Sequence, residues 1–515
     1  MYDVIIFTDF TESHSGNYPA PIKSLGGYQI ASVLRDTGLK VKVIDNFIWI
    51  LENYTEEFFR WTDENIEGVK LIGFSTTFLQ PLSVTNRNRK IRSQLGVKFS
   101  SKDVRPLFDK YLRKLNEWKT KQPMKIIVGG QGQQTAATVR LYDSIIDHWF
   151  KGLSEDILLT FLKNWEWDGH PKILESDSSG YDFHNHKPTF DKSDIIYSYE
   201  SLPIEISRGC RFKCKFCSFP LLGRKPSPKW IRSEDSIYNE LKHNYDTWGV
   251  TNYQIMDDTF NETTEKLRAV QRAIERTGIS INFWAYTRIE LLNAFPEQIS
   301  ILRDMGQKSA FFGIESLHDP SAKIIGKGLG REKISRVLEK VKESWGRDTD
   351  LHGSFIIGLP HETAETAEEW VQILINKEIS LDSVSFNPLT LSSLSKKWMR
   401  GKYRDSKVFL SEFDRNAEKY GYERGSKIHQ WKNEHWDYKE ASAYAADAFK
   451  RIKDNADGLL THDYLPHMFP MLNLGFSREE VNIGIFKGTE FRNEVKKRKL
   501  KLLDKYKEDI LYGHI

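Results

Sequence analysis

The chain has 515 residues, of which 39% are hydrophobic and 28% charged, with 75 basic against 71 acidic side chains. This is ordinary globular composition, enough chain for about three domains, and it excludes a disordered polypeptide. A net charge of +4 excludes a molecule built mainly to neutralise a phosphate backbone.

The first residues, MYDVIIFTDF, lack the basic start and small-residue cleavage site of a signal peptide. No apolar run reaches the roughly 18 residues of a spanning helix, so the expectation is a cytoplasmic protein without a membrane partner. From residue 1 to 165 strand and helix alternate. Apolar runs at Asp3–Phe7, Val41–Ile44, Lys70–Phe74 and Lys125–Val128, with a weaker one at His148–Phe150, read as strands. Helical periodicity lies between them, at Tyr28–Thr37, where Gly38 supplies the stop, and at Val104–Trp118. The pattern implies a doubly wound, Rossmann-like parallel sheet. Residues 81–101 are polar and basic and read as an insertion loop, and residues 166–200, rich in Gly, Ser and His, as a linker.

A second alternation fills residues 201–390. Its strands are expected at Leu202–Ser207, Tyr253–Met256, Asn282–Tyr286, Ala310–Phe312, Gly353–Ile357 and Ser383–Phe386, and its helices include Ser233–Thr247, Thr264–Thr277 and Glu332–Trp345. Six such units suit a partial (β/α)6 TIM-like barrel with functional loops at the carboxyl ends of the strands. Residues 391–515 turn helical and aromatic, with Trp398, Trp431, Trp436 and an amphipathic Tyr438–Lys453, and read as a helical C-terminal domain. The fold class is therefore α/β with a helical third domain.

All three cysteines of the chain fall together as Cys210, Cys214 and Cys217, a C-x3-C-x2-C loop after the first barrel strand. A disulfide framework would spread paired cysteines along the chain. Structural zinc wants four ligands, and the nearest downstream histidine, His243, falls in an expected helix. Three thiolates suit three corners of a [4Fe-4S] cubane whose fourth iron stays open. Arg208, Arg211, Lys213 and Lys215 are expected to favour deprotonated thiols.

These residues resemble the signature of radical S-adenosylmethionine (radical SAM) enzymes, with Phe216 as the aromatic before the last cysteine. Further blocks follow in order at strand ends: Asp257-Asp258-Thr259-Phe260, Arg288, Gly313-Ile314-Glu315-Ser316 and Gly358-Leu359-Pro360. The resemblance implies that Phe216, Asp257, Asp258, Arg288, Glu315 and Gly358 contact S-adenosylmethionine. It implies too that this substrate chelates the open iron and is split reductively into methionine and a 5′-deoxyadenosyl radical. On their residue types alone, Asp257 and Asp258 would cap a helix, Glu315 and Arg288 would form ion pairs, and Gly358 would make a turn.

Residues 1–160 resemble the cobalamin-binding domain of a radical SAM subgroup. The likeness lies in Tyr18-Pro19-Ala20-Pro21, Gly27, Gly73-Phe74-Ser75-Thr76, Val128-Gly129-Gly130 and Gly152 to Glu155. It implies cobalamin contacts from Gly73, Ser75, Thr76, Gly129, Gly130 and Gly152, where small residues at strand ends admit a nucleotide-like tail. The loop Glu12-Ser13-His14-Ser15-Gly16 departs from the D-x-H-x-x-G pattern of cobalt-ligating histidines, so His14 is expected as a solvent-exposed loop residue.

With no thiol beyond the triad, neither a cysteine methyl carrier nor a second cluster fits this chain. The leading expectation is a cobalamin-dependent radical SAM methyltransferase acting on an unactivated carbon of a small-molecule or peptide substrate, with an electron donor such as flavodoxin or ferredoxin. The alternatives are a radical rearrangement, cyclisation or oxidation, and a cluster-bearing sensor that does not turn over. Trp431, Asn433, His435 and Trp436 read either as a lid or as core packing. The run Lys496–Lys501 reads as a solvated helix face, and no nucleic-acid partner is expected.

Overall fold

The computed structural model describes residues 1–9, 22–75, 105–130, 139, 141–177, 180–219, 221, 223–225, 227–346, 349–391, 411–425, 430–455, 460–461, 468–477, 479–481 and 489–513. The expected 81–101 loop, His14, Tyr18–Pro21, Thr76 and Trp398 lie outside them. No helix among the described residues is long and apolar enough to cross a membrane.

Strands β1 (Val4–Phe7), β2 (Val41–Ile44), β3 (Leu71–Ser75), β4 (Lys125–Gly129), β5 (His148–Leu153) and β6 (Ile173–Asp177) form a parallel sheet in the order β2-β1-β3-β4-β5-β6. The chain reverses direction across β1 and β3, so a crevice opens at their carboxyl ends. Helices α1 (Leu25–Arg35) and α2 (Glu155–Leu162) lie on one face. Phe7, Phe47, Phe58, Phe74, Phe108 and Tyr111 pack an aromatic core on the other. The sixth strand comes from the segment read as a linker. Only Leu174 of its first residues is buried, so this edge strand lacks the apolar signature of the central ones.

The second sheet is parallel as well. It runs β7 (Ser201–Ile204), β8 (Asn252–Ile255), β9 (Asn282–Tyr286), β10 (Gln307–Glu315), β11 (Asp350–Ile357) and β12 (Ser383–Pro388) in sequence order. Its helices start and stop where the sequence says. In α3 (Glu234–Trp248) Ser233 accepts from Ser236 N and Gly249 ends the helix at φ 73°. In α4 (Thr264–Thr277) Thr263 accepts from Lys266 N and Gly278 ends it at φ 67°.

The region read as a helical domain is divided between the two sheets. After the hairpin of β13 (Glu423–Arg424) and β14 (Trp431–Lys432), α5 (Tyr438–Asn455) packs on β12, and the two-residue β15 (Leu460–Thr461) joins β12 as a seventh strand. The last helix, α6 (Thr489–Leu511), returns to the first sheet, where Leu503, Tyr506 and Ile510 enter its aromatic core. On α6 Lys496 and Lys497 are solvated as expected, but Lys499 is turned inward, its ammonium pushed down to about 8 by burial near Asp9. One apolar cluster runs from Ile6, Tyr28 and Leu34 through Phe150 and Ile204 to Phe283 and Phe355 of the barrel, so the two sheets share a core.

Candidate functional site

The cysteine loop leaves β7 under tight control. The carboxylate of Asp257, at the end of β8, accepts from Ile206 N at 2.7 Å, Ser207 N at 2.9 Å, Ser207 Oγ at 2.7 Å and Lys266 Nζ at 2.6 Å. Asp257 is fully buried, and both its oxygens are engaged. That carboxylate thus holds the base of the cysteine loop. Gly209 follows at φ 69°, and a Cβ there would stand 2.5 Å from that of Leu221. Cys210 N donates to Leu221 O, and Cys210 O accepts from Gly223 N at 2.6 Å, so the outgoing and returning arms of the loop bind each other.

Donors surround the sulfurs. Thr259 Oγ1 lies 3.3 Å and Phe212 N 3.5 Å from Cys210 Sγ. Arg288 Nη1 reaches Cys214 Sγ at 3.3 Å, while its Nη2 donates to Gly326 O at 2.9 Å and its guanidinium lies 4.0 Å over the Phe212 ring. Donors aimed at sulfur are the protein's lever on a cluster's potential. Arg288 thus touches the cysteine loop itself, and it also pairs with Glu290 at 3.3 Å. Among the described residues no three His, Cys, Asp or Glu are grouped closely enough to hold a single metal ion. Ligands to separate irons of a cubane need no such grouping.

Burial pushes the Cys210 thiol up and the Cys217 thiol up to about 12. In both, desolvation is the largest cause. Arg208, moreover, is spent elsewhere: it donates to Glu155 at 2.6 Å and Glu205 at 3.1 Å and stacks on Phe183. Glu205 also accepts from Gln29 Nε2 at 2.6 Å. This network ties α1 and α2 of the first sheet to the root of the cysteine loop, and sequence reasoning missed it because its members are far apart in the chain.

Two carboxylates at the barrel mouth make no hydrogen bond among the described residues. Asp258 is half-buried and pushed up to about 7 by burial and then by the charge of Asp257. Glu315 is 8% exposed and is pushed up to about 7 by burial, which outweighs Lys327. It sits at φ 69° on the bulge where β10 shifts register against β11, a strained position for a non-glycine residue. A side chain at Gly313 would collide with it. Phe216 is half-buried at the edge of the core.

Gly358 belongs to a joint with the C-terminal segment. At φ 89°, a Cβ on it would lie 2.5 Å from the Trp431 ring. Its carbonyl accepts from Tyr422 Oη at 2.7 Å, and Trp431 Nε1 and Trp436 Nε1 donate to Leu389 O and Glu362 O, both at 2.8 Å. Trp431 and Trp436 are thus core packing rather than a lid, and Gly358 packs against the Trp431 ring. Beneath the joint Glu362 is fully buried, and burial pushes it up to about 8. Between the ordinary value near 4.5 and about 8 the folded chain keeps a proton that the unfolded chain has released. This group's contribution to stability is full at the acid end and falls by about 1.4 kcal/mol per pH unit through that window. Glu362→Gln is expected to remove that slope, so urea melts should show the variant gaining on the parent steadily from pH 5 to pH 8.

On the first sheet Gly73, Ser75 and Gly129 come together. Gly73 pairs with Ile6 and Ile127, and Ser75 pairs with Gly129. A Cβ at Gly73 would approach Ile6 to 3.6 Å and one at Gly129 would approach Phe150 to 3.6 Å, both ordinary packing distances. Gly130 follows at φ 112°. Nearby, Thr8 Oγ1 and Asp9 Oδ1 are buried without a hydrogen-bond partner among the described residues. Orphaned buried polar atoms beyond the carboxyl end of a parallel strand fit a polar ligand. Gly152 has another reason to be glycine: at φ 82° a Cβ would collide with Ser176 O of β6. It permits strand pairing that the linker reading could not foresee.

Residues 204–374 match the radical SAM superfamily. Over 201 residues the chain is 29% identical to an uncharacterised methyltransferase of Pyrococcus horikoshii, covering 38% of this chain and 41% of that protein. The chain thus spans about two fifths of this relative's length. In three dimensions it is similar to the radical S-adenosylmethionine methyltransferase TsrM from Kitasatospora setae, solved with cobalamin and a [4Fe-4S] cluster bound. The TM-score is 0.55 at 14% identity, over 97% of this chain and 100% of that one. It is similar also to the cobalamin-dependent S-adenosylmethionine radical enzyme OxsB with aqua-cobalamin bound, with a TM-score of 0.56 at 13% identity over 99% and 80% of the two chains. The likeness is one of fold and takes in both sheets.

Proposed function

Because the chain carries a radical SAM domain, we propose that it cleaves S-adenosylmethionine reductively at a [4Fe-4S] cluster on Cys210, Cys214 and Cys217 and transfers a methyl group, with cobalamin as carrier, to carbon of a small-molecule or peptide substrate. The observation that carries the reading is the cysteine loop itself: three thiols at the end of the first barrel strand, with Phe212 N and Arg288 donating to sulfur and the Thr259 hydroxyl in contact with Cys210 Sγ. The cluster and S-adenosylmethionine would supply one-electron cleavage, and cobalamin a methyl carrier.

The chain's own residues divide the remaining work. The carboxylate of Asp258, without a hydrogen-bond partner among the described residues, would accept from the methionyl ammonium. That of Glu315, buried and held on the bulge, is placed to accept from hydroxyls. Asp257 and Lys266 fix the loop on which the cysteines stand. Ser75, Gly129 and Gly130 at the carboxyl ends of β3 and β4 would face a cobalamin tail, and the Gln29–Glu205–Arg208–Glu155 network ties the first sheet's helices to the cluster loop. Within this chain no fourth cysteine offers another methyl carrier.

Anaerobic reconstitution with iron, sulfide and hydroxocobalamin, followed by desalting, is expected to leave about four irons and one cobalt per chain. Labelled S-adenosylmethionine should then give a methylated product, with S-adenosylhomocysteine formed beside 5′-deoxyadenosine. Full iron without cobalt would overturn the methyl-carrier role and leave a radical rearrangement, cyclisation or oxidation. Full iron without any cleavage of S-adenosylmethionine would overturn the enzyme reading.

A further inference from the structure

The two faces of the barrel sheet differ in kind. Along β9 to β12, Phe283, Ala285, Ala310, Phe312, Leu351 and Val384 belong to the shared apolar core. Phe355 and Phe386 complete that outer face, stacked with Trp370 of the helix Ala364–Ile375. Strand alternation therefore turns Trp284, Tyr286, Phe311, His352, Ser354 and Ser385 into the lumen. Branched aliphatic side chains ordinarily fill a barrel at such positions. In this lumen rings and hydroxyls stand in their place.

The rings form a continuous ladder. Register sets Tyr286, Phe311, His352 and Ser383 side by side on adjoining strands. Ring centroids lie 5.1 Å apart between Trp284 and Tyr286, 5.0 Å between Tyr286 and Phe311, and 4.7 Å between Phe311 and His352. His352 is fully buried, and its ring nitrogens bond Ser383 Oγ at 2.7 Å and Ser385 Oγ at 3.0 Å, which fixes one end of the ladder. Trp284 packs into Phe469, Met471 and Leu474, and Asn473 of the same segment accepts from Ser201 N at the start of β7, so the lumen is closed at its amino end. The other end is open: Tyr286 is 38% exposed, and Arg288, two residues on, reaches the Cys214 sulfur. One step above Phe311, His352 and Ser383 the adjoining strands carry only Gly313, Ser354 and Ser385, with the Glu315 carboxylate reaching over Gly313. Ser354 is 9% exposed, and its hydroxyl makes no hydrogen bond among the described residues.

We infer that this wall selects the methyl acceptor as a planar aromatic or heteroaromatic ring, laid against Tyr286 and Phe311, with a hydrogen-bonding group on its edge for the Ser354 hydroxyl. The inference rests on the methyl-transfer reading above and names the class of substrate that reaction would take. A flat ring gains from offset or edge contact with other rings beyond the area it buries. An unspent hydroxyl in a nearly closed site favours the ligand that bonds it over one that leaves it unpaired. Tyr286 and Phe311 thus set the plane of the ring and Ser354 its rotation within that plane. None of the three makes or breaks a bond.

The test is equilibrium dialysis on the full-length, reconstituted protein with two probes of one outline: 2-quinolone, a flat ring with an amide edge, and its fully saturated counterpart. The parent is expected to bind 2-quinolone about tenfold more tightly than the saturated lactam. Tyr286→Leu should erase most of that preference, and Phe311→Leu, which removes the second ring, should act in the same direction. Ser354→Ala should instead weaken both lactams by a similar factor, about threefold to tenfold, and leave the preference as it was. A parent that binds neither probe, or both equally, would overturn the substrate class. A preference that survives both Tyr286→Leu and Phe311→Leu would overturn the wall as its source. Failure of the methyl-transfer reading looks different: a parent that takes up no cobalt yet prefers 2-quinolone through these residues would overturn the carrier and leave the recognition standing.

Discussion

Cys214→Ala is expected to yield a folded protein that cleaves no S-adenosylmethionine above background. Cys214 is half-buried, and its sulfur contacts the Arg288 guanidinium at 3.3 Å. Truncating it removes little apolar area, so thermal unfolding should move by no more than about 1 kcal/mol equivalent. A cubane deprived of one of three protein ligands is left with two irons unheld by protein, and iron retained after anaerobic desalting should drop sharply, with loss of the brown absorbance. Arg288→Met provides the graded comparison. It keeps all three thiols but removes the N–H aimed at Cys214 Sγ, so iron should be retained while the cluster's reduction potential shifts. Parental iron and cleavage in Cys214→Ala would mean that the metal sits elsewhere. An unshifted potential in Arg288→Met would reduce that arginine to its ion pair with Glu290.

How much of this was legible in the sequence depends on whether the information is local. The cysteine spacing and the order of strands and helices are written locally and are found in the expected sequence, although strand ends move by up to three residues, as at β7, expected over Leu202–Ser207 and found over Ser201–Ile204, and β10, expected over Ala310–Phe312 and found over Gln307–Glu315. β6 was missed because an edge strand needs little apolar character, and Ile173–Asp177 is polar in its second half. β15 has two residues, too few to give any period. The return of α6 to the first sheet follows from pairings across most of the chain, such as Tyr197 with Asp509, which no window of sequence contains. Arg208 was read as a charge beside thiols because its neighbours in sequence are cysteines, whereas its partners in space are Glu155 and Glu205. The packing of Gly358 against Trp431 is likewise a contact between residues far apart in the chain, which no local pattern contains.

The adjacent carboxylates Asp257 and Asp258 make the sharpest separation between holding the site and using it. Asp257→Ala would remove the acceptor for two backbone amides and the Ser207 hydroxyl and leave the buried Lys266 ammonium, bonded to Ser207 Oγ and Thr259 O, with Glu262 at 3.6 Å as its nearest carboxylate. Breaking a buried, hydrogen-bonded pair in this way costs about 3–5 kcal/mol. The variant is therefore expected to unfold at much lower urea, with soluble yield falling accordingly. Asp258→Asn should do the opposite. Burial and the charge of Asp257 already disfavour its ionised form, so removing the charge should leave stability unchanged or slightly raised. If Asp258 accepts from the methionyl ammonium, equilibrium dialysis on the reconstituted protein should show affinity for S-adenosylmethionine falling by about tenfold or more. The reversed pattern, a stable Asp257→Ala protein with weakened binding beside an indifferent Asp258→Asn, would return the substrate contact to Asp257. It would also require the cysteine loop to keep its shape without the anchor that joins Ile206, Ser207 and Lys266, and iron content measured on the same Asp257→Ala sample would show directly whether it does.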